Sequence, residues 1–294
     1  MRITQSIITR SLLQNINRNK ENINKRQIAI ATGKEILRSS SDPVKFSRAS
    51  RFRKTISRND QYLKNINGAK GWLDTTTSLL DNMSSGMIDA KEIAIQSADE
   101  SNNAEMRKML ADKVDSIIND TVALANNTYM GKYLFGGTKT LEEEPFSYNG
   151  TDTVTYNGNS NNIYRRIAEN YNISINIAGS QLIDMDIFSS LISLKNALND
   201  DDTDGIQSSI NEINSVSKKL FSLTSATGSI RNQLTMTEQR LDTANMNLRS
   251  YLSQTEDVDL AKAITEYNVE EMTYKAALQV TSDAIHLNLM EFIG

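Results

Sequence analysis

The chain has no cysteine, one histidine, two prolines and thirteen glycines in 294 residues. Without cysteine, neither a disulfide framework nor a thiolate metal site can form. With His286 as the sole imidazole, a His/Cys metal cluster and a Ser-His-Asp arrangement with a second supporting histidine are both excluded. Bulky residues are also scarce: 6% aromatic and 38% hydrophobic, with 23% charged, is lean for a single thick core. It suits long helices that bury narrow stripes. No run approaches the ~18 apolar residues that a membrane-spanning helix requires, so no membrane insertion is expected. The opening MRITQSIITRSLLQNINRNK lacks the apolar stretch and small-residue cleavage site of a secretory signal. It is arginine-rich and acid-poor like a mitochondrial transit peptide, but its helical pattern runs on past residue 26.

The motifs of catalysis are missing in the same way. GKYLFGGTK, residues 131–139, lacks Walker A spacing and does not lie between a strand and a helix start, so its glycines read as a turn. NDDDTD at 199–204 has neither the order nor the terminal glutamate of a calcium-binding EF-hand loop. It reads as a solvated loop with helix-capping acids, as does the run Glu142 to Glu144 closed by Pro145. No catalytic, cofactor-binding or metal-binding residue is assigned, no cofactor is implied, and no enzymatic activity is expected.

What the chain does have is charge polarity and helical periodicity. The net charge is −4, yet residues 1–64 carry fifteen lysines and arginines against four acids, while residues 256–294 carry eight acids against two lysines. The two ends are electrostatically complementary.

Leu12, Ile16, Ile23 and Ile30 form a thin stripe, the last three seven residues apart, continuing Ile8. A second thin stripe, Leu260, Ile264, Tyr267, Tyr274, Leu278, Thr281 and Ile285, closes the chain. Each such helix alone is marginal in water, and the pair is expected to associate as a coiled coil. These seams leave faces for other copies, so the ends are expected to order only on assembly.

Between them lies a joint. The first pattern stops at Gly33, suited to a helix C-terminus, and Asp42 with Pro43 offers an N-cap and first helical residue for a helix starting at Val44. That restart carries a basic patch of Arg48, Arg51, Arg53, Lys54 and Arg58. The patch has Phe46 and Phe52 interleaved, which admits a nucleic-acid reading, but the acidic balance (pI ≈ 5.3) and lack of a DNA-binding motif favour an acidic protein surface; no nucleic-acid partner is expected.

Beyond the joint a heptad register runs through Phe52, Asn59, Ile66, Leu73, Leu80, Met87 and Ala94, with Thr55, Tyr62, Ala69, Thr76, Met83 and Ala90 at the companion positions. A third helix is expected to carry Leu110 through Thr128 at spacings of four and three. Short alternating segments follow, clearest in YNISINIAG, where isoleucines alternate with Asn and Ser as in a strand. Helical spacing returns at Phe188, breaks at DDDTD, and runs to a second break at SQTEDVD, residues 253–259.

The expected fold is mainly α. An elongated helical bundle (43–137 and 183–253) carries a terminal coiled coil (1–42 and 254–294) and a small β-rich insertion (138–182).

The stretch ATGKEILRSSSDPVKFSRASRFR, residues 31–53, resembles the segment of bacterial flagellins and hook-associated proteins in which a glycine-lysine, a spacer and an acid-proline pair precede a long helix. The family usually has two acids before the proline; Ser41 replaces the first here, and Asp42 remains to cap. GKYLFGG at 131–137 and the closing DVDLAKAITEYNVEEMTYKAALQVTSDAIHLNLMEFIG are similar to the central motif and last helix of family members at the junction of hook and filament.

This resemblance implies a secreted axial protein of the flagellum, extracellular or enclosed in a periplasm. The partners it implies are further copies in a helical layer, a neighbouring hook-associated protein on the hook side, flagellin on the filament side, and an export chaperone before secretion. A filament subunit is the alternative within the family; a basic coiled-coil module binding nucleic acid is the alternative outside it.

Overall fold

The computed structural model describes residues 2–99 and 103–293, with the side chains of residues 7, 10–99 and 103–283. Along this stretch the order is α1 (Arg2–Thr32), α2 (Pro43–Ser97), α3 (Ala104–Ala125), β1 (Thr128–Tyr129), β2 (Lys132–Tyr133), β3 (Phe146–Tyr148), β4 (Val154–Tyr156), β5 (Tyr164–Ala168), β6 (Tyr171–Ser174), α4 (Gly179–Asp184), α5 (Ile187–Asn199), α6 (Thr203–Glu256) and α7 (Leu260–Ile293). The fold is mainly α with a small β-rich middle, as its apolar periodicity predicts. Contacts divide the chain into two compact units, residues 1–58 with 244–294 and residues 59–243.

The second unit holds the dense core. From Asn59 to Ala94 every heptad position of α2 is buried, including Ile66, Leu73, Leu80, Met83 and Met87. Each buried aliphatic side chain contributes roughly 1.5–3 kcal/mol, so packing overrides the three glycines of this helix. Thr76, buried in the same row, satisfies its hydroxyl by donating to the Trp72 carbonyl at 2.9 Å. Gly71 is required by a neighbour: a Cβ there would collide with the Tyr129 hydroxyl. Tyr129 stands edge-on to Trp72, ring centroids 6.1 Å apart. Leu110, Val114 and Ile118 of α3, Leu191, Leu194 and Leu198 of α5, and Ile206, Ile213, Leu220 and Leu234 of α6 complete this core.

Helix α3 ends at Ala125, three residues short of the predicted Thr128, which pairs with Tyr133 in the β1–β2 hairpin. The cause is Asn126. Its side chain exchanges two hydrogen bonds with the Phe146 backbone, Nδ2 donating to the carbonyl at 2.7 Å and Oδ1 accepting from the amide at 2.8 Å. That amide pair draws the chain out of the helix and docks β3.

The strands form three separate antiparallel pairs, β1–β2, β3–β4 and β5–β6. Two-stranded ribbons are marginal alone, and each is tied to helices. In β5, the Arg166 carbonyl accepts from Asn65 on α2 at 2.7 Å. In β3, the Tyr148 hydroxyl donates to Asp115 of α3 at 2.7 Å and accepts from the buried Lys195 of α5 at 2.8 Å. Lys195 also donates to the Thr151 carbonyl.

The DDDTD break appears as the turn between α5 and α6, where Asp202 Oδ1 accepts from the amides of Asp204 and Gly205, 3.1 Å each. Asp201 sits in the left-handed region, φ 57°, and holds the buried Arg107 of α3.

Candidate assembly interface

In the first unit α1 and α7 lie side by side and antiparallel. Gly33 at the end of α1 meets Val258 just before α7, and Arg26 pairs with Glu266 at 2.9 Å and Glu270 at 3.8 Å. The charge complementarity of the two ends is thus realised in named contacts.

The seam is thin. Leu12, Ile16, Ile23 and Ile30 are half-buried and Ala29 is buried. On α7 the inward row is Ala263, Tyr267, Glu270, Tyr274, Ala277 and Thr281, alternating steps of four and three. Leu260, Ile264 and Leu278 are not part of that row: their exposures are 49%, 47% and 42%. Tyr267, Tyr274 and Thr281 of the expected stripe lie in this row, while its aliphatic members fall about one helical position outside it. The side chains of Ile8, Ile285 and His286 lie outside the described residues.

The joint is a closed structure. Gly33 has φ +69°, with open space where a Cβ would stand; the left-handed conformation suits glycine there. Asp42 Oδ1 accepts from the amides of Val44 and Lys45 at 3.0 and 2.9 Å, with Pro43 as the first helical residue. Opposite, α6 continues through Glu256, so the predicted break at 253–259 narrows to residues 257–259, and Asp259 caps α7 by accepting from the Lys262 amide at 3.1 Å.

The two linkers are stitched together. The Glu35 amide donates to the Glu256 carbonyl at 2.7 Å, and the Val258 amide to the Gly33 carbonyl at 3.0 Å. The Glu256 carboxylate is buried and takes one cation from each side, Lys34 at 2.6 Å and Arg53. Removing one partner of a buried carboxylate destabilises far more than losing an exposed pair, so Glu256 is the residue that closes the joint. Sequence reasoning registers it only as one of eight C-terminal acids; its one signal is its place opposite the Gly-Lys pair in a chain whose ends mirror each other.

All five cations of the patch are exposed, but Arg53 is paired with the buried Glu256 carboxylate. The basic patch is two sets of residues with different work.

Among the described residues no group of three or more His, Cys, Asp and Glu side chains is placed to hold a metal, and no helix is long and apolar enough to cross a membrane.

Compared with known proteins, residues 3–140 match the bacterial flagellin N-terminal helical region and residues 210–293 the bacterial flagellin C-terminal helical region. The chain belongs to the bacterial flagellin family. This is a family of structural flagellar proteins. Within it, the flagellin of Halalkalibacterium halodurans is 24% identical over 270 residues, covering 90% of this chain and 89% of that protein. Flagellar hook-associated protein 3 of Escherichia coli is 21% identical over 296 residues, covering 89% and 90%. Among solved structures, flagellar hook-associated protein 3 of Legionella pneumophila shares the fold with a TM-score of 0.62 at 17% identity, covering 70% of this chain and 98% of that one.

Proposed function

We propose that this flagellin-family chain is the structural adaptor at the junction between hook and filament. The observation that carries the reading is the likeness of its fold, over 98% of the other chain's length, to a hook-associated protein 3. The three small hairpins support it, forming a compact middle rather than a large outer domain.

In this reading the α1/α7 pair lines the inside of a helical layer, with Leu12, Ile16, Ile23, Ile30, Tyr267 and Tyr274 as its internal seam. Leu260, Ile264 and Leu278 are left to contact other subunits. The joint at Gly33, Asp42 and Pro43 separates the terminal helix from α2, and the exposed part of the basic patch meets acidic neighbours. The partners are further copies, a hook-associated protein on one side and flagellin on the other, with an export chaperone holding the chain before secretion. The site of action is the flagellum, outside the cell or in the periplasm.

Antibody labelling of intact flagella, viewed by electron microscopy, tests this. A single narrow band where hook meets filament is the expected result. Label along the whole filament would make the chain a flagellin, and no label on the appendage would exclude both.

A further inference from the structure

Helix α2 presents two outward faces that its own subunit leaves without counter-charge. Near the start of the helix, Val44, Arg48, Arg51 and Lys54 are exposed and lie on one side, with Ser47 among them. Arg51 reaches the Ser47 hydroxyl at 3.5 Å, and among the described residues none of the three cations has an ion pair. Like charges three and four residues apart on a helix repel, so an acidic surface from outside would relieve this face.

Farther along the same helix, Asp81, Asp89 and Glu92 are exposed on one side together with Ser85, Ile88 and Ile95. The two isoleucines are 52% and 54% exposed. These acids too have no ion pair among the described residues; the half-buried Lys91 lies at the edge of the face. Each face thus combines three like charges with exposed aliphatic carbon, and the signs are opposite.

Several other acids are already engaged. Asp201 holds Arg107 and Asp202 caps α6. Glu142 pairs with Lys139, and Glu266 and Glu270 are taken by Arg26.

We propose that the cationic face of α2 at Arg48, Arg51 and Lys54 docks on the acidic face at Asp81, Asp89 and Glu92 of a second copy of this chain. The surfaces are non-identical, so the contact is head-to-tail and propagates from copy to copy instead of closing a dimer. Ile88 and Ile95 supply the apolar centre against Val44, and the charges set orientation and partner choice. The inference rests on the reading above that copies assemble with one another on the flagellum.

Because the chain has no cysteine, a designed pair reports the contact directly. Ser47→Cys and Ser85→Cys leave every charge in place, and Ser85 bonds only the Asp81 carbonyl of its own helix, at 3.1 Å. The doubly substituted chain is expressed as the only copy, flagella are isolated and oxidised, and a non-reducing gel is blotted for the protein.

The expected result is a ladder of dimers and higher species. It is lost when Arg48→Glu and Arg51→Glu are added and regained when Asp89→Lys and Glu92→Lys join them. Without oxidation, the Arg48→Glu/Arg51→Glu chain with both serines retained should incorporate at least about tenfold less than wild type, and the fourfold charge swap should recover it.

Dimers alone would mean two antiparallel α2 helices in a closed pair and would overturn the head-to-tail contact. Protein present on flagella but never cross-linked would overturn the contact altogether while leaving the junction reading intact. Absence of even the unsubstituted chain from flagella would overturn both.

Discussion

The two units of this chain bury their helices in opposite ways. In residues 59–243 the heptad row of α2 is sealed by α3, α5 and α6, with Ile66, Leu80, Met83 and Met87 all fully buried. In the unit of residues 1–58 and 244–294 the corresponding row, Leu12 to Ile30 against Tyr267 to Thr281, is largely half-buried, and aliphatic residues such as Ile264, Val269 and Met272 remain exposed. A helix among several partners draws its stability from within the subunit. A helix with one partner keeps apolar area for contacts outside it.

The sharpest way to break this comparison is to truncate one residue in the dense core. Leu80→Ala removes a fully buried side chain and should cost about 3–5 kcal/mol, lowering the thermal midpoint of the isolated chain followed by circular dichroism. A loss under about 1 kcal/mol would mean that the row is not close-packed.

A smaller effect is expected at the Lys195 cluster, where a β hairpin depends on the same unit. Burial pushes the Lys195 ammonium down, but the Tyr148 hydroxyl and the Asp115 carboxylate outweigh it and hold the group above its ordinary 10.5. Burial raises the Tyr148 phenol above 10.0, and Asp115 adds to this against Lys195. Both groups hold their protons more tightly folded than unfolded, so stability is full below pH 10 and falls as pH rises through the two raised values. Denaturant titrations from pH 9 to 11.5 should show the fall, and Lys195→Met should remove the lysine's share of it while Tyr148 keeps its own. An unchanged slope in that variant would place the alkaline loss elsewhere.

The smallest effect on melting, and the most informative, belongs to the seam. Ile16→Asp together with Ile23→Asp should barely move the melting temperature of the isolated monomer, because the bundle core sets it. The same pair should block incorporation into flagella. A large drop in melting temperature would show that the terminal pair is packed as firmly in the monomer as the bundle is.

Where the apolar row is wide and continuous, sequence and structure agree residue for residue: the α2 register from Asn59 to Ala94, the Asp42-Pro43 start, and the turn after Asn199. The disagreements have local causes. Helix α3 stops at Ala125 because the Asn126 amide bonds a backbone twenty residues away in sequence, at Phe146, which no periodicity can signal. Helix α6 outlasts its expected end because Glu256 finds Lys34 and Arg53 across the joint. The α7 row is offset because its contact residues are alanines and tyrosines, less hydrophobic than the leucines and isoleucine that stay outside.

Composition, charge polarity and period alone determined that this chain is helical, that its ends are opposite in charge, and that neither thiol chemistry nor a His/Cys metal cluster is open to it. These properties belong to the residues wherever they lie. Only the tertiary structure decided that Arg53 pairs with Glu256 while Arg48 and Arg51 have no ion pair among the described residues, that Glu256 closes the joint, and which side of α7 meets α1. Each depends on which groups are brought within a few ångströms by segments far apart in the chain, because ion pairs, hydrogen bonds and packing contacts form only at that distance.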